Sequence, residues 1–149
     1  MPMKYLDFEI PMEGVPKGRP RFSNHGGFIR TYTDKKTRDF ETTVAYLAKE
    51  AMQKAGFPRA ESGAVRLCLK FFFPPLKSWT KAQRLRLAQC IELPKTTKPD
   101  VDNLGKAVCD ALNGIVYRDD AMVASLGVEK KFADRKASIS VHVGLETDE

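Results

Sequence analysis

The run AVRLCLKFFF at 64–73 does most to limit the folds open to this chain. Val65, Leu67, Leu69, Phe71 and Phe73 alternate with Arg66, Cys68, Lys70 and Phe72. That is the period of a strand with one apolar face, and Pro74-Pro75 ends it, because proline cannot donate to a ladder. KYLDFEI at 4–10 repeats the pattern, with Leu6, Phe8 and Ile10 opposite Tyr5, Asp7 and Glu9. MVASLGVEKKF (122–132) and ASISVHVGLE (137–146) read as two more strands around a turn at Asp134-Arg135, with His142 facing solvent. Ile115–Tyr117 is read as further strand material.

A sheet with one apolar face needs a cover, and three segments have helical spacing. Thr33 or Asp34 can cap a helix running to about Ala55 and closed by Gly56, with Phe40, Val44, Leu47, Ala48 and Met52 on its core side. TKAQRLRLAQCIE (80–92) reads as a second helix, with Trp79 packing just before it. A third starts near residue 102 and ends at Asn113-Gly114, and Leu104, Val108, Ala111 and Leu112 make its apolar stripe. At 149 residues and 42% hydrophobic composition the chain can bury one core. No repeat or linker divides it. The expectation is therefore one domain over 1–149 of the α/β (α+β) class, a mixed β-sheet packed against helices.

Lys and Arg exceed Asp and Glu by 25 to 19, for a net charge of +6. Most of the excess lies at 16–39, where Lys17, Arg19, Arg21, Arg30, Lys35, Lys36 and Arg38 face only Asp34 and Asp39, a local charge of +5. Phe22, Phe28 and Tyr32 interleave with these cations, as in an arm that holds a nucleic-acid backbone and stacks on bases. The competing reading is a solvated loop with inward aromatics. Residues 11–33 are expected to form an irregular arm leading to a short strand around Phe28–Tyr32, with His25 in the loop. Cys68, Cys90 and Cys109 are odd in number and lack a CxxC pair, so buried, reduced thiols are expected rather than zinc or disulfides. No apolar run is long enough for a signal peptide or membrane span, which points to a soluble, cytoplasmic protein without membrane association.

Against this basic background, KPDVDNLGKAVCDALNGIVYRDDAMV (98–123) places carboxylates at both ends of one helix. Asp100 and Asp102 flank Val101, Lys106 follows Asp102 at i+4, Asp110 lies one turn further, and Asp119 and Asp120 come after the helix. Acids near a helix start complement its dipole, and an Asp102–Lys106 surface pair adds a few tenths of a kcal/mol. If the segment folds back, the two acid pairs repel by ~1 kcal/mol per pair at 4 Å in water. A cation would relieve that, and Mg²⁺, an oxygen-seeking ion that often keeps phosphate and water ligands, is the natural one. An acidic metal pocket on a basic protein is the layout for phosphodiester hydrolysis.

This run strongly resembles the core motif of the RusA family of Holliday-junction resolvases, a D-x-D-N-x-x-K helix followed by a hydrophobic stretch and a DD pair. The arm VPKGRPRF with YTDKKTRDFE after it is similar to the N-terminal half of phage and prophage members, so the likeness spans roughly 5–145. The resemblance implies that Asp100, Asp102 and Asp120 bind metal and that Lys106 is needed for cleavage, these four being the catalytic residues. Asp119 is left without an assigned role, and Asn103 is read as holding the helix start. The resemblance further implies Mg²⁺ as cofactor with Mn²⁺ as a substitute, branched DNA (a four-way junction) as substrate, and a homodimer that nicks two strands symmetrically in recombination and repair. The arm residues Lys17, Arg19, Arg21, Arg30, Lys35, Lys36 and Arg38 would hold DNA. The alternative is a non-catalytic DNA-binding accessory protein. A looser pattern, Pro99-Asp100 with Glu129-Lys130-Lys131, fits restriction-like nucleases but places its PD at a helix start, where that pattern wants a strand.

Overall fold

Alternating side chains become strands, and the capped apolar stripes become helices that lie across one side of them. The computed structural model describes residues 2–17, 21–25, 28–32 and 34–147, the two middle segments by their backbone alone. Strands β1 (Met3–Ile10), β2 (Arg21–His25) and β3 (Phe28–Tyr32) precede helix α1 (Lys35–Ala55). There follow β4 (Ala64–Phe73), α2 (Lys81–Cys90), β5 (Glu92–Pro94) and α3 (Val101–Leu112). A 3₁₀ turn (Asp120–Met122), β6 (Val123–Ala133) and β7 (Ser138–Glu146) complete the order.

Five strands form one mixed sheet in the order β1-β7-β4-β6-β5. β1–β7, β7–β4 and β6–β5 are antiparallel, and β4–β6 is parallel, so the long connection through α2, β5 and α3 returns the chain to the same sheet. The single-domain α+β expectation holds for the sheet and its helices. Leu6, Ile10, Val65, Leu67, Leu69, Phe71, Ile139, Val141 and Val143 turn one face inward, where Phe40 and Val44 of α1 and Leu104, Val108 and Leu112 of α3 close over them. The termini of α1 follow the sequence signals. The Asp34 carboxylate accepts from Thr37 N–H at 2.8 Å, and Gly56 stops the helix at φ 65°, a conformation that costs glycine little. Thr80 and Gln83 form a reciprocal capping box on α2, and Trp79 packs edge-on against Phe132.

Four local expectations are corrected. The arm contains a β2–β3 hairpin, with His25 as the last residue of β2 rather than a loop residue. The second helix stops at Cys90, because Ile91 turns to φ 68° and Glu92 begins β5 on β6. Ile115–Tyr117 is not a strand: Tyr117 makes isolated bridges to Ala60 and Asn113, and its hydroxyl donates to Cys109 O at 3.0 Å. The cysteines are not all buried. Cys68 lies on the face of β4 opposite the core and Cys90 on the exposed side of α2, while Cys109 is half-buried.

Burial first, with the nearby Asp110 and Asp120 charges, pushes the Cys109 thiol up to about 11. Thiolate is the reactive form. In a thiol titration of the native protein near about pH 8 with an aromatic disulfide reagent, Cys68 and Cys90 react at once and Cys109 reacts only after denaturant is added. Three equally fast thiols would contradict this packing.

Candidate active site

Helix α3 presents two faces. Leu104, Ala107, Val108, Ala111 and Leu112 are buried, while Asp102, Asn103 and Lys106 are exposed. The helix lies close on β6 because residue 105 is glycine: a Cβ there would come within 2.8 Å of Val128 Cγ2. The same segment therefore has to be apolar toward the sheet and free to carry charge outward.

Asp100 is the N-cap of α3, yet its side chain makes no cap hydrogen bond. Lys98 Nζ instead reaches both carboxylate oxygens, at 2.9 and 3.0 Å. The loop before it is tied to the sheet by Lys130, whose ammonium donates to Thr97 O at 2.6 Å and Pro99 O at 2.8 Å. Asp102 sits in the first turn, where the dipole favours a carboxylate. Lys106 is exposed and stands 3.9 Å from Asp110.

The Asp119-Asp120 pair is delivered to the other end of α3. Asn113, its C-cap, accepts from Asp120 N–H at 3.0 Å, and Asp119 accepts from Ala121 N–H at 3.0 Å. That backbone hydrogen bond, with one from Asp120, holds the Asp119 carboxyl below the ordinary carboxylate range. Asp120 is pushed the other way. Its hydrogen bond with Asp119 comes first, then desolvation and the charges of Asp119 and Asp110, and Lys106 opposes the shift. Asp120 therefore lies within electrostatic reach of Lys106 and Asp110, while Asp100 and Asp102 lie at the far end of a 12-residue helix about 18 Å long.

Of the four predicted catalytic residues, Asp102 and Lys106 stand on the exposed side of α3, Asp100 stands at its N-cap and Asp120 comes to its other end from the 3₁₀ turn, without forming a closed cage. Among the described residues, no group of three or more His, Cys, Asp or Glu side chains converges tightly enough to hold an ion. Mg²⁺ is commonly held by one or two carboxylates with water and phosphate oxygens. Exposed Asp100 and Asp102, and separately Asp120, are donors of that open kind and fit such an ion, whereas they do not fit a site built from protein ligands alone. Mn²⁺ accepts the same oxygen donors.

The basic arm divides in two. Lys17 is enclosed: its ammonium pairs with Glu41 at 2.6 Å and Asp110 at 3.1 Å, and its N–H donates to Asn103 O at 3.0 Å. Burial acts to lower its pKa, but the hydrogen bonds and charges of Glu41 and Asp110 outweigh it and leave the pKa raised. Lys17 therefore pins the start of the arm across α1 and α3. Lys35, Lys36 and Arg38 are exposed at the start of α1, whose first turn holds no acid. A helix N-terminus disfavours cations, so this placement suits an external anion better than internal stability. Arg19 lies outside the described residues, as do the side chains of Arg21, Arg30, Phe22, Phe28 and Tyr32, and Thr33.

Sequence reasoning missed three supports: Asn113 as the holder of Asp120, Glu41 as the partner of Lys17, and Lys130 as the clamp on the Asp100 loop. Lys130 had a signal. Period-two alternation places it on the side of Val128 and Phe132, an inward position where a lysine needs a purpose. Nothing local marks Asn113 or Glu41.

The profile of the family described as "Endodeoxyribonuclease RusA" matches residues 11–144 of the chain. The chain is also 33% identical, over 133 residues covering 89% of it and 91% of the relative, to the "Uncharacterized protein YqaN" of Bacillus subtilis (strain 168).

Proposed function

Because the chain belongs to the RusA family of endodeoxyribonucleases, we propose that it is a Mg²⁺-dependent endonuclease that resolves four-way DNA junctions by paired symmetric nicks, acting as a homodimer in recombination and repair. The observation that carries the reading is the exposed side of α3, where a lysine stands between carboxylates delivered to both ends of the helix. Asp100 and Asp102 at one end of α3, and separately Asp120 at the other, are the residues that would hold metal, with phosphate and water completing each set. When bound, the ion lowers the pKa of the attacking water and offsets charge on the phosphate. Lys106, exposed and within reach of Asp120, stabilises the phosphate or orients that water. Lys35, Lys36 and Arg38, with Arg19, Arg21 and Arg30 of the arm, hold the DNA backbone, and Lys17 anchors the arm to α3.

The test compares a labelled four-way junction with a matched linear duplex, in Mg²⁺ and in EDTA. Paired nicks are expected in the junction alone, lost with EDTA and restored by Mn²⁺. Metal-independent, steeply salt-dependent binding without nicks in any metal would sink the nuclease reading and favour a DNA-binding accessory protein.

A further inference from the structure

A cavity of about 540 Å³ opens beside the Asp100 loop, among Glu13, the Pro74-Pro75 turn and the start of α1, and no step above uses it. Its size lies in the range of small-molecule pockets. Lys36, Lys77, Lys95 and Lys98 line it against one acid, Glu13, while Phe73, Phe132 and the two prolines supply apolar walls.

Lys95 is the unusual member. It is 8% exposed, with its ammonium 4.7 Å from the ring centre of Phe132 and 5.2 Å from that of Phe73. Thr97 Oγ1 accepts from it at 2.8 Å, and among the described residues no carboxylate forms an ion pair with it. Burial, then the neighbouring Lys130, pushes its pKa below the ordinary lysine value, and Glu13 only partly opposes them. A buried ammonium without an anion is costly, and two aromatic rings offset part of that cost. Lys36 and Lys77 around the same space add positive potential where a structural account would place acids, while Lys98 is paired with Asp100.

We propose that this cavity receives one nucleotide of a DNA strand, its phosphate on Lys95 and the rim lysines and its base against the walls formed by Phe73, Phe132 and the prolines. Pro99 lines the cavity and Asp100 follows it, so the bound nucleotide lies next to the phosphate engaged at Asp100 and Asp102. That placement rests on the nuclease reading, whereas nucleotide binding itself does not. A charge-assisted contact to phosphate and a base on an apolar wall together hold a nucleotide better than either part alone.

Trp79 is the chain's single tryptophan, and its ring centre lies 4.7 Å from that of Phe132, so its emission reports on the cavity wall. The full chain is titrated in EDTA with thymidine 5′-monophosphate, thymidine or inorganic phosphate. The monophosphate is expected to change the emission saturably, and the other two to bind about tenfold more weakly. Lys95→Met keeps the apolar length of the side chain, and is expected to unfold no lower in temperature than wild type. It is also expected to weaken the monophosphate about tenfold and to raise KM for junction nicking with kcat nearly unchanged. Lys77→Ala, at the exposed rim and outside the residues assigned to the DNA backbone, carries the same test if Lys95→Met fails to fold. Equal binding by inorganic phosphate, absence of saturable binding, or wild-type affinity in both variants overturns the proposal. Binding without nicking leaves the cavity assigned and removes the nuclease reading. Nicking with unchanged kinetics in both variants does the reverse.

Discussion

Asp102→Asn is expected to leave a folded protein that binds a four-way junction and nicks it about a thousandfold more slowly, a loss of about 4 kcal/mol of transition-state stabilisation. The side chain is exposed in the first turn of α3 and makes no contact in the core. Losing its charge at the helix N-terminus costs about 0.3–1 kcal/mol of stability, too little to unfold the chain. An amide keeps the shape of the carboxylate but removes the charge that attracts a divalent cation. The loss should therefore appear in single-turnover nicking rates, while junction affinity in EDTA stays near wild type. Asp120→Asn is expected to behave alike, because Asn113 still holds its backbone N–H. If both variants nick at the wild-type rate, the carboxylates only solvate the helix and the accessory-protein reading gains.

Leu104→Ala is expected to cost about 3 kcal/mol and to lower the thermal midpoint by about 6–12 °C. Leu104 is fully buried, on the stripe with Val108 and Leu112 that seats α3. Truncation removes the transfer energy of its methyl groups and leaves a cavity that the neighbouring sheet cannot fill, because β4 and β6 are fixed by a parallel ladder that runs in register from Arg66 and Ser125 to Phe73 and Phe132. Calorimetry of the variant measures the loss. Since the same helix carries Asp102 and Lys106 outward, nicking should also weaken, beyond the fraction unfolded at the assay temperature. A shift under about 2 °C would mean that α3 is not seated on the core as described.

The two substitutions sit on opposite faces of one helix, and they separate what was legible from what was not. The apolar stripe of α3, the span of β4 at 64–73 and the capped ends of α1 could all be read from the chain. Each depends on side chains a few residues apart and on local backbone hydrogen bonding. The cysteines were misjudged although alternation had already set Cys68 opposite the core face of β4.

What the sequence by itself determined is the local repertoire: four of the five sheet strands, all three helices, and an acid-lysine motif specific enough to mark the family. Tertiary structure alone decided that β4 and β6 run parallel, that β5 exists as the short edge strand after Ile91, and that Lys17 faces Asp110 and Glu41 instead of solvent. It alone also brought Asp120 within electrostatic reach of Lys106 and Asp110 and set Lys95 against two phenylalanine rings. These arrangements join segments far apart in the chain. Their partners are selected by shared burial and charge, which no periodicity within one segment encodes.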